Sequence, residues 1–221
     1  MKKIATIRTK FKDKFGIPRQ SGIVQTEGVI VFEEPYRNPD ALRGIEGYSH
    51  LWLIWEFSES VRDTWSPTVR PPRLGGNRRM GVFATRSPFR PNPIGLSSVR
   101  LLGVEMTKNE GAVLHVSGAD LLDGTPIYDI KPYLPYTDSH PDAAGGFADG
   151  VKDYALSVRI PEAELQKIPE AERDTVREIL ANDPRPSYQD DSERIYYLDY
   201  GELKIAFSVA ENELTVRKIG K

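Results

Sequence analysis

YSHLWLIWEF, residues 48–57, is the strongest predicted β-strand in the chain. The segment is rich in aromatic and β-branched side chains, which favour extended structure. On a strand His50 shares a face with Tyr48 and Trp52, because successive side chains alternate between the two faces. Taken alone, His50 fits a hydrogen-bonded structural histidine. The segment predicts a central strand of a β-rich domain.

Further strand-like segments lie on both sides of this strand and are separated by turn residues. They are Ile4–Thr9, Gly28–Glu33, Met80–Thr85, Gly95–Met106, Ala112–Ser117 and Ile127–Tyr133. Residues 109–111 (Asn-Glu-Gly) predict a hairpin turn, and Pro39–Arg43 predicts a short helix ending at Gly44. Many short strands with little helix predict a mainly β fold, an antiparallel barrel or sandwich, over residues 1–140.

The pattern changes after a small, polar, glycine-rich loop at residues 138–150. Residues 154–160 alternate as a strand does, and Pro169 is expected to begin a helix that residues 183–186 (Asp-Pro-Arg-Pro) end. Its apolar stripe is Val176, Ile179 and Leu180. Alternating segments at 203–209 and 214–216 complete a predicted small α+β domain over residues 150–221.

The amino-acid composition limits the classes of protein to which this chain can belong. The chain has 221 residues, of which 39% are hydrophobic and 28% are charged, as in globular domains. We expect a cytoplasmic protein without a membrane span, because no apolar run approaches the roughly 20 residues of a membrane helix and the N-terminus lacks the apolar core of a signal peptide. Cysteine is absent and the three histidines are widely spaced, so we predict no metal site, although carboxylates remain able to bind Mg²⁺.

Residues 67–97, PTVRPPRLGGNRRMGVFATRSPFRPNPIGLS, form a proline- and arginine-rich segment inside a chain of net charge −2. Prolines rigidify such a loop, and arginines bind anions in bidentate fashion. The alternative is an exposed loop that only adds solubility. Phe83, Phe89 and Ile94 count against it, because we expect them to anchor the segment to a core. Residues 65–100 contain no Asp or Glu but hold Arg70, Arg73, Arg78, Arg79, Arg86, Arg90 and Arg100.

Residues 119–136, ADLLDGTPIYDIKPYLPY, place two carboxylates, Asp120 and Asp123, beside a predicted tight turn. Asp129, Lys131 and Tyr133 would share one face of the following strand, which is often only the solvent face. No glycine-rich dinucleotide fingerprint or P-loop occurs, so a Rossmann site is unsupported. The residues by themselves leave the reaction open.

Six segments resemble the TrmO family, also called TsaA-like or YaeB-like. They are GIPRQSG (16–22), GIEGYSHLWLIWEF (44–57), WSPTVRPPRLGGNRRM (65–80), GVFATRSPFRPNPIGLS (81–97), DLLDGTPIYDIKPYLPY (120–136) and DPRPSY (183–188). The resemblance implies an antiparallel β-barrel methyltransferase that uses S-adenosylmethionine. It implies methylation of N6 of N6-threonylcarbamoyladenosine, beside the anticodon in the tRNA anticodon stem-loop. It also implies a homodimer.

The resemblance implies particular site residues as well. Donor-binding residues carried over from it are Pro18, Arg19, Gln20, Ser49, His50, Arg86, Leu96, Asp120, Leu122, Asp123, Gly124 and Thr125. We assign acceptor binding to Arg73, Arg78, Arg90, Asn92, Lys131, Arg185 and Tyr188, with Tyr133 or Tyr188 able to stack on a base. Asp123, His50 and Tyr133 are the candidates for the catalytic proton acceptor, and the sequence does not choose among them.

Three alternatives stay open. They are a non-catalytic module that binds RNA or another anion, a methyltransferase of the same fold with a different acceptor, and a Mg²⁺-dependent hydrolase using Asp120 and Asp123. The family resemblance argues against the hydrolase. A measurement of affinity for S-adenosylmethionine distinguishes the non-catalytic module, which should not bind it, from a methyltransferase, which should.

Overall fold

The structure is a computed structural model that describes residues 1–71, 74, 78–185 and 191–220. Its strands are β1 (Ala5–Arg8), β2 (Glu27–Phe32), β3 (His50–Glu56), β4 (Thr68–Val69), β5 (Met80–Gly81), β6 (Ile94–Thr107), β7 (Gly111–Ser117), β8 (Pro126–Pro132), β9 (Ser157–Arg159), β10 (Tyr196–Tyr200), β11 (Leu203–Ala210) and β12 (Glu213–Gly220). Its α-helices are α1 (Pro135–Asp138), α2 (Glu162–Leu165) and α3 (Arg173–Ala181). Short 3₁₀ turns lie at Glu34–Tyr36, Pro39–Leu42, Ile45–Gly47, Ser58–Ser60, Val82–Ala84, Gly146–Val151 and Glu170–Glu172.

Six antiparallel strands close a barrel in the order β1-β2-β7-β6-β3-β8, which confirms the mainly β prediction. In β3 the side chains of Leu51, Leu53 and Trp55 point into the barrel core, where they pack with Ile30 and Leu114. His50, Trp52, Ile54 and Glu56 alternate with them on the outer face. The alternation predicted for residues 48–57 is therefore confirmed, and it places aromatic and charged groups outside the barrel.

The strand predicted at Met80–Thr85 is wrong beyond Gly81. Only Met80 and Gly81 pair, with β4, and the chain then enters a 3₁₀ turn. The reason lies in local hydrogen bonds, because the Thr85 N–H and hydroxyl both donate to the Val82 carbonyl. Arg90 also donates to the carbonyls of Val82 and Thr85. These backbone groups are used within the loop and not in a strand ladder.

A second sheet, in the order β10-β11-β12-β9, forms the C-terminal domain together with α3. The predicted stripe of Val176, Ile179 and Leu180 is buried against it, which confirms the amphipathic helix. β10 was not predicted, and β9 pairs with β12 in parallel. Residues 10–25 also contribute to this core, so the chain joins the two parts near its beginning as well as at residues 133–156.

Within the described part of the chain, no helix has the length and apolar character needed to cross a membrane.

Candidate functional site

A cleft of about 1950 Å³ is lined by residues of both the barrel and the C-terminal domain. Its walls come from the loop at 14–23, the end of β3, the arginine-rich segment, the start of β6 and the turn after β7. Residues 145–152 and 179–185 supply the opposite side. The cleft therefore gathers segments that are far apart in sequence.

One wall of the cleft is built on a chain of two hydrogen bonds that links Trp55, Ser97 and Asp120. The indole Nε1 of Trp55 donates to the Ser97 hydroxyl at 2.9 Å, and that hydroxyl donates to Asp120 at 2.6 Å. Burial raises the pKa of the Asp120 carboxyl above its usual value, although the Ser97 hydrogen bond and the charge of Arg86 oppose this shift. A carboxyl with a raised pKa in a cleft is typical of a functional group.

Gly95 makes this wall geometrically possible. It pairs with Trp55 across β3 and β6, and an added Cβ would lie 2.2 Å from the indole ring. A larger residue would displace the ring and with it the indole N–H that reaches Ser97.

The loop at residues 16–22 forms the rim beside Asp120. Arg86 donates to the Gln20 side-chain oxygen, and Gly22 donates from its backbone to the Gly118 carbonyl. The Ser98 N–H donates to the Ser21 hydroxyl at 3.1 Å. The loop is thus attached to β6 and to the turn that carries Asp120.

The structure brings together most of the residues predicted to bind the donor. Those lining the cleft are Pro18, Arg19, Gln20, Arg86, Leu96, Asp120, Leu122 and Thr125. Ser49, His50, Asp123 and Gly124 do not line it. The donor-binding role of all twelve stays a prediction.

The three candidates for the catalytic proton acceptor lie outside the cleft. The Asp123 carboxylate accepts from the Thr9 N–H at 2.9 Å and is exposed. His50 shares a hydrogen bond with the Ser49 hydroxyl at 2.9 Å, and its ring lies 6.2 Å from that of Tyr133. The Tyr133 ring lies 5.5 Å from the ring of Trp52, which lines the cleft. Their catalytic roles stay predictions.

Of the residues predicted to bind the acceptor, some line the cleft and others lie outside it. Arg90 and Arg185 line the cleft, whereas Arg78, Asn92 and Lys131 do not. Lys131 instead pairs with Asp129 at 3.0 Å. Arg73 and Tyr188 lie outside the described residues.

Exposed aromatic side chains were missed as site residues. We expected Phe83, Phe89 and Ile94 to anchor the arginine-rich segment, but Phe83 is 73% exposed and the other two are 38% exposed. The anchor is Val82, which is 1% exposed. The Phe83 ring lies 6.1 Å from that of Trp65, and both line the cleft. The signal in the sequence was the interleaving of aromatic residues with arginines.

Charge along the cleft is mainly positive. Arg62 lies 3.8 Å above the Phe89 ring, in a cation–π contact. Acidic residues also line the cleft, including Glu56 and Asp120. The basic residues on its walls are Lys14, Arg19, Arg62, Arg70, Arg79, Arg86, Arg90, Lys152 and Arg185.

A buried ion pair closes the side of the cleft formed by the C-terminal domain. Arg185 donates to both carboxylate oxygens of Asp183, from Nε at 2.9 Å and from Nη2 at 3.1 Å. The Tyr154 hydroxyl donates to the same carboxylate at 2.9 Å. Burial acts to raise the pKa of Asp183, but the hydrogen bonds and charge of Arg185 outweigh it and hold that pKa below its usual value. Among the described residues, Nη1 of Arg185 is buried without a hydrogen-bond partner.

No three His, Asp or Glu side chains within residues 1–71, 74, 78–185 and 191–220 are grouped so as to hold a metal ion.

Fold and site together define a β-barrel protein with a cleft suited to an anionic, base-containing ligand. Comparison with known proteins agrees with this fold over both parts of the chain. Residues 6–139 match the tRNA-methyltransferase O N-terminal domain, and residues 154–221 match the TrmO C-terminal domain. This chain belongs to the TrmO family.

Two curated relatives and a solved structure illustrate the likeness. The chain is 47% identical over 193 residues to the tRNA (adenine(37)-N6)-methyltransferase of Escherichia coli K12, covering 84% of this chain and 82% of that protein. It is 43% identical to the putative S-adenosylmethionine-dependent methyltransferase RcsF of Pseudomonas aeruginosa, covering 84% and 81%. The crystal structure of TrmO from Pseudomonas aeruginosa superposes with a TM-score of 0.78 at 32% identity, covering 99% of this chain and 97% of that one.

Proposed function

We propose that this chain is an S-adenosylmethionine-dependent methyltransferase that methylates N6 of adenosine 37 in tRNA. We propose further that the substrate base is N6-threonylcarbamoyladenosine. The observation that carries the proposal is a cleft lined both by the half-buried carboxyl of Asp120, whose pKa is raised, and by the arginines and exposed aromatic side chains of residues 62–90. The close relatives in the family support the same activity.

The residues beside Asp120 fit the chemistry of the donor. S-adenosylmethionine supplies a methyl group on a sulfonium cation and also carries a carboxylate and an adenine. The carboxylate of Asp120 balances positive charge, and Arg86 binds a carboxylate. Leu96, which is 56% exposed, offers apolar surface to a base or an alkyl chain. The rim residues Pro18 and Gln20 complete a pocket of mixed polarity.

The arginines and exposed aromatic side chains of residues 62–90 fit the acceptor. Bases in single-stranded RNA loops stack on aromatic side chains, and arginines hold the phosphates. Trp65, Phe83 and Phe89 supply exposed rings, with Arg62 and Arg90 beside them. The net charge of −2 means that tRNA binding depends on this local concentration of positive charge.

Asp120 is the residue that we assign to proton transfer. The acceptor nitrogen loses a proton as it gains the methyl group, and the sulfonium becomes a neutral thioether. Asp120 takes up that proton, because a carboxyl whose pKa is raised by burial is a better base at neutral pH than an ordinary aspartate. Exclusion of water and fixed orientation in the cleft supply much of the remaining rate.

We propose that the protein is a homodimer. We also propose that it acts in the cytoplasm, where it meets its tRNA substrate. Leu102 and Met106 of β6 are 51% and 66% exposed, and exposed apolar side chains of this kind support contact with a second copy. Light scattering after size exclusion should give twice the mass of one chain. A monomer at every concentration would refute the dimer and leave the enzymatic proposal intact.

A methyl-transfer assay with labelled S-adenosylmethionine tests the function directly. Bulk tRNA is offered from cells able and unable to make the threonylcarbamoyl group. We expect label only in the first tRNA, at position 37. Label in both would keep the methyltransferase and change the acceptor base. Label in neither, without donor binding, would favour a non-catalytic RNA-binding module.

A further inference from the structure

Residues 10–25 carry the loop assigned to donor binding, yet their apolar side chains belong to the core of the C-terminal domain. Phe11 and Val24 are buried there, and Phe15 and Ile17 pack against it. The backbone is attached as well, since the Gly201 N–H donates to the Lys10 carbonyl at 2.8 Å. The two parts of the chain therefore share this loop.

Gly16 and Leu198 fix the start of the loop. Gly16 has a φ of +91°, which glycine adopts readily and other residues rarely do. A Cβ at this position would lie 2.0 Å from Cδ1 of Leu198, a fully buried residue of β10. The contact holds the chain against the C-terminal sheet two residues before Pro18.

Asp183 holds the loop at a second point. Its carbonyl accepts a 3.1 Å hydrogen bond from Nη2 of Arg19. Asp183 has a φ of +51°, a left-handed conformation that costs energy in a non-glycine residue and persists where the surroundings enforce it. Here Arg185 and Tyr154 enforce it by binding the Asp183 carboxylate.

The guanidinium of Arg185 is buried against Asp183 and not presented to solvent. Both side chains of the pair are only 8% exposed. Two guanidinium nitrogens of Arg185 bind Asp183, so its charge is largely neutralised within the protein. This geometry is better suited to shaping the Asp183 turn than to attracting a phosphate from solvent.

We propose that the Asp183–Arg185 turn of the C-terminal domain is a positioning element for the donor loop, through the contact of the Asp183 carbonyl with Arg19. Asp183, Arg185 and Tyr154 are positioning residues in this assignment. The C-terminal domain thus acts on donor affinity in addition to any contact with tRNA. The identity of the donor rests on the proposed function.

Variants of Asp183 and of Tyr154, which donates to its carboxylate, test the proposal. Asp183→Asn keeps a residue that tolerates left-handed backbone but weakens the pairing with Arg185, and Tyr154→Phe removes one hydrogen bond. The control is Glu211→Gln, because Glu211 also has a positive φ, of 53°, but lies in the exposed turn between β11 and β12. Melting curves establish that each variant is folded, and Tyr154→Phe is the milder change if Asp183→Asn is not.

The measurements are the Kd of S-adenosylhomocysteine by calorimetry and the separate KM values for donor and tRNA. We expect Asp183→Asn to raise the donor Kd and KM roughly tenfold and Tyr154→Phe to raise them severalfold, while the tRNA KM stays within about twofold of wild type. The control should match wild type in all three. Unchanged donor affinity with weakened tRNA binding would overturn the positioning role and make the turn an acceptor contact.

A wild-type chain that binds no S-adenosylhomocysteine overturns the donor assignment itself. A wild-type chain that binds it, together with folded variants that bind it equally well, overturns the positioning role alone.

Discussion

The hydroxyl of Ser97 donates a 2.6 Å hydrogen bond to the carboxylate of Asp120. Ser97 is fully buried, and its oxygen also accepts from the Trp55 indole at 2.9 Å, so the hydroxyl proton is directed toward Asp120. Burial of Asp120 raises the pKa of its carboxyl, and this hydrogen bond limits the rise. The charge of the cleft carboxylate is therefore set in part by a serine on the neighbouring strand.

Ser97→Ala should move the acidic limb of the activity profile to higher pH. If Asp120 accepts the proton as proposed, activity requires its ionised carboxylate and rises as pH increases through the raised pKa of Asp120. Loss of a hydrogen bond that stabilises the charged form raises that pKa further. The profile of kcat/KM against pH measures the change, with Ser98→Ala on the same strand as the control. An unshifted limb would contradict the role of Asp120 in that profile.

Asp120→Asn and Asp123→Asn should separate the two carboxylates. We expect Asp120→Asn to lower kcat by about 10² or more, since proton transfer by a positioned group contributes roughly 10²- to 10⁴-fold. Asp123→Asn should act mainly through the Thr9 contact and change kcat only a few-fold. Steady-state kinetics with saturating donor decide the matter, and the reverse order of effects would return the catalytic role to Asp123.

Asp120→Asn should also stabilise the fold at neutral pH. A carboxyl whose folded pKa is raised contributes stability below its unfolded pKa and loses it as pH rises through the folded pKa. Removal of the charge should therefore increase the free energy of unfolding at pH 8, and the gain should fade below about pH 4. Urea denaturation at both pH values tests this, and equal effects at the two would be inconsistent with it.

Gly95→Ala should lower the free energy of unfolding by about 1–3 kcal/mol through overpacking against Trp55. Gly103→Ala is a matched control in the same strand, because a Cβ at Gly103 meets no atom within 4 Å among the described residues. Urea denaturation compares the two variants. A similar loss in both variants would show that a general effect of replacing glycine in β6, and not the Trp55 contact, lowers the stability.

Trp65→Ala and Phe83→Ala should each weaken tRNA binding by roughly 5- to 100-fold, the range expected for loss of one stacked base. Donor affinity should stay unchanged. Tyr136→Ala is the control, since Tyr136 is 86% exposed and does not line the cleft. Filter binding over a range of salt concentrations should also give a steep loss of affinity with salt, as phosphate contacts require. Normal tRNA binding by both variants would place the acceptor elsewhere.

Arg185→Ala should lower the free energy of unfolding by about 3–5 kcal/mol at pH 7, because it leaves the buried Asp183 carboxylate without its positively charged partner and with only the Tyr154 hydroxyl as a side-chain donor among the described contacts. The pKa of Asp183 is lowered in the fold, so this stability is present above its unfolded pKa and is lost as pH falls through the folded pKa. The difference from wild type should therefore shrink in strong acid. Arg43→Ala, which breaks an exposed pair with Asp40, should cost less than about 1 kcal/mol.

Local sequence was enough to predict much of the architecture. The alternation in residues 48–57 and in the other barrel strands follows from side-chain periodicity, and so does the buried stripe of α3. The segment at Met80–Thr85 was mispredicted because its apolar residues look like a strand, whereas side-chain and backbone hydrogen bonds from Thr85 and Arg90 fold it locally. Strand β10 was not predicted, although Tyr196, Leu198 and Tyr200 lie at alternate positions on its buried face.

Sequence by itself determined the barrel strands, the amphipathic helix and the set of segments from which a site is built, because periodicity and turn residues act over short distances. Only the tertiary structure decided which carboxylate faces the cleft. Asp120 and Asp123 are three residues apart, yet one is hydrogen-bonded to Ser97 of β6 and the other to Thr9 after β1. It likewise decided that residues 10–25 pack into the C-terminal core. Both outcomes depend on contacts between residues more than 20 positions apart, and such contacts leave no periodic trace in a single sequence.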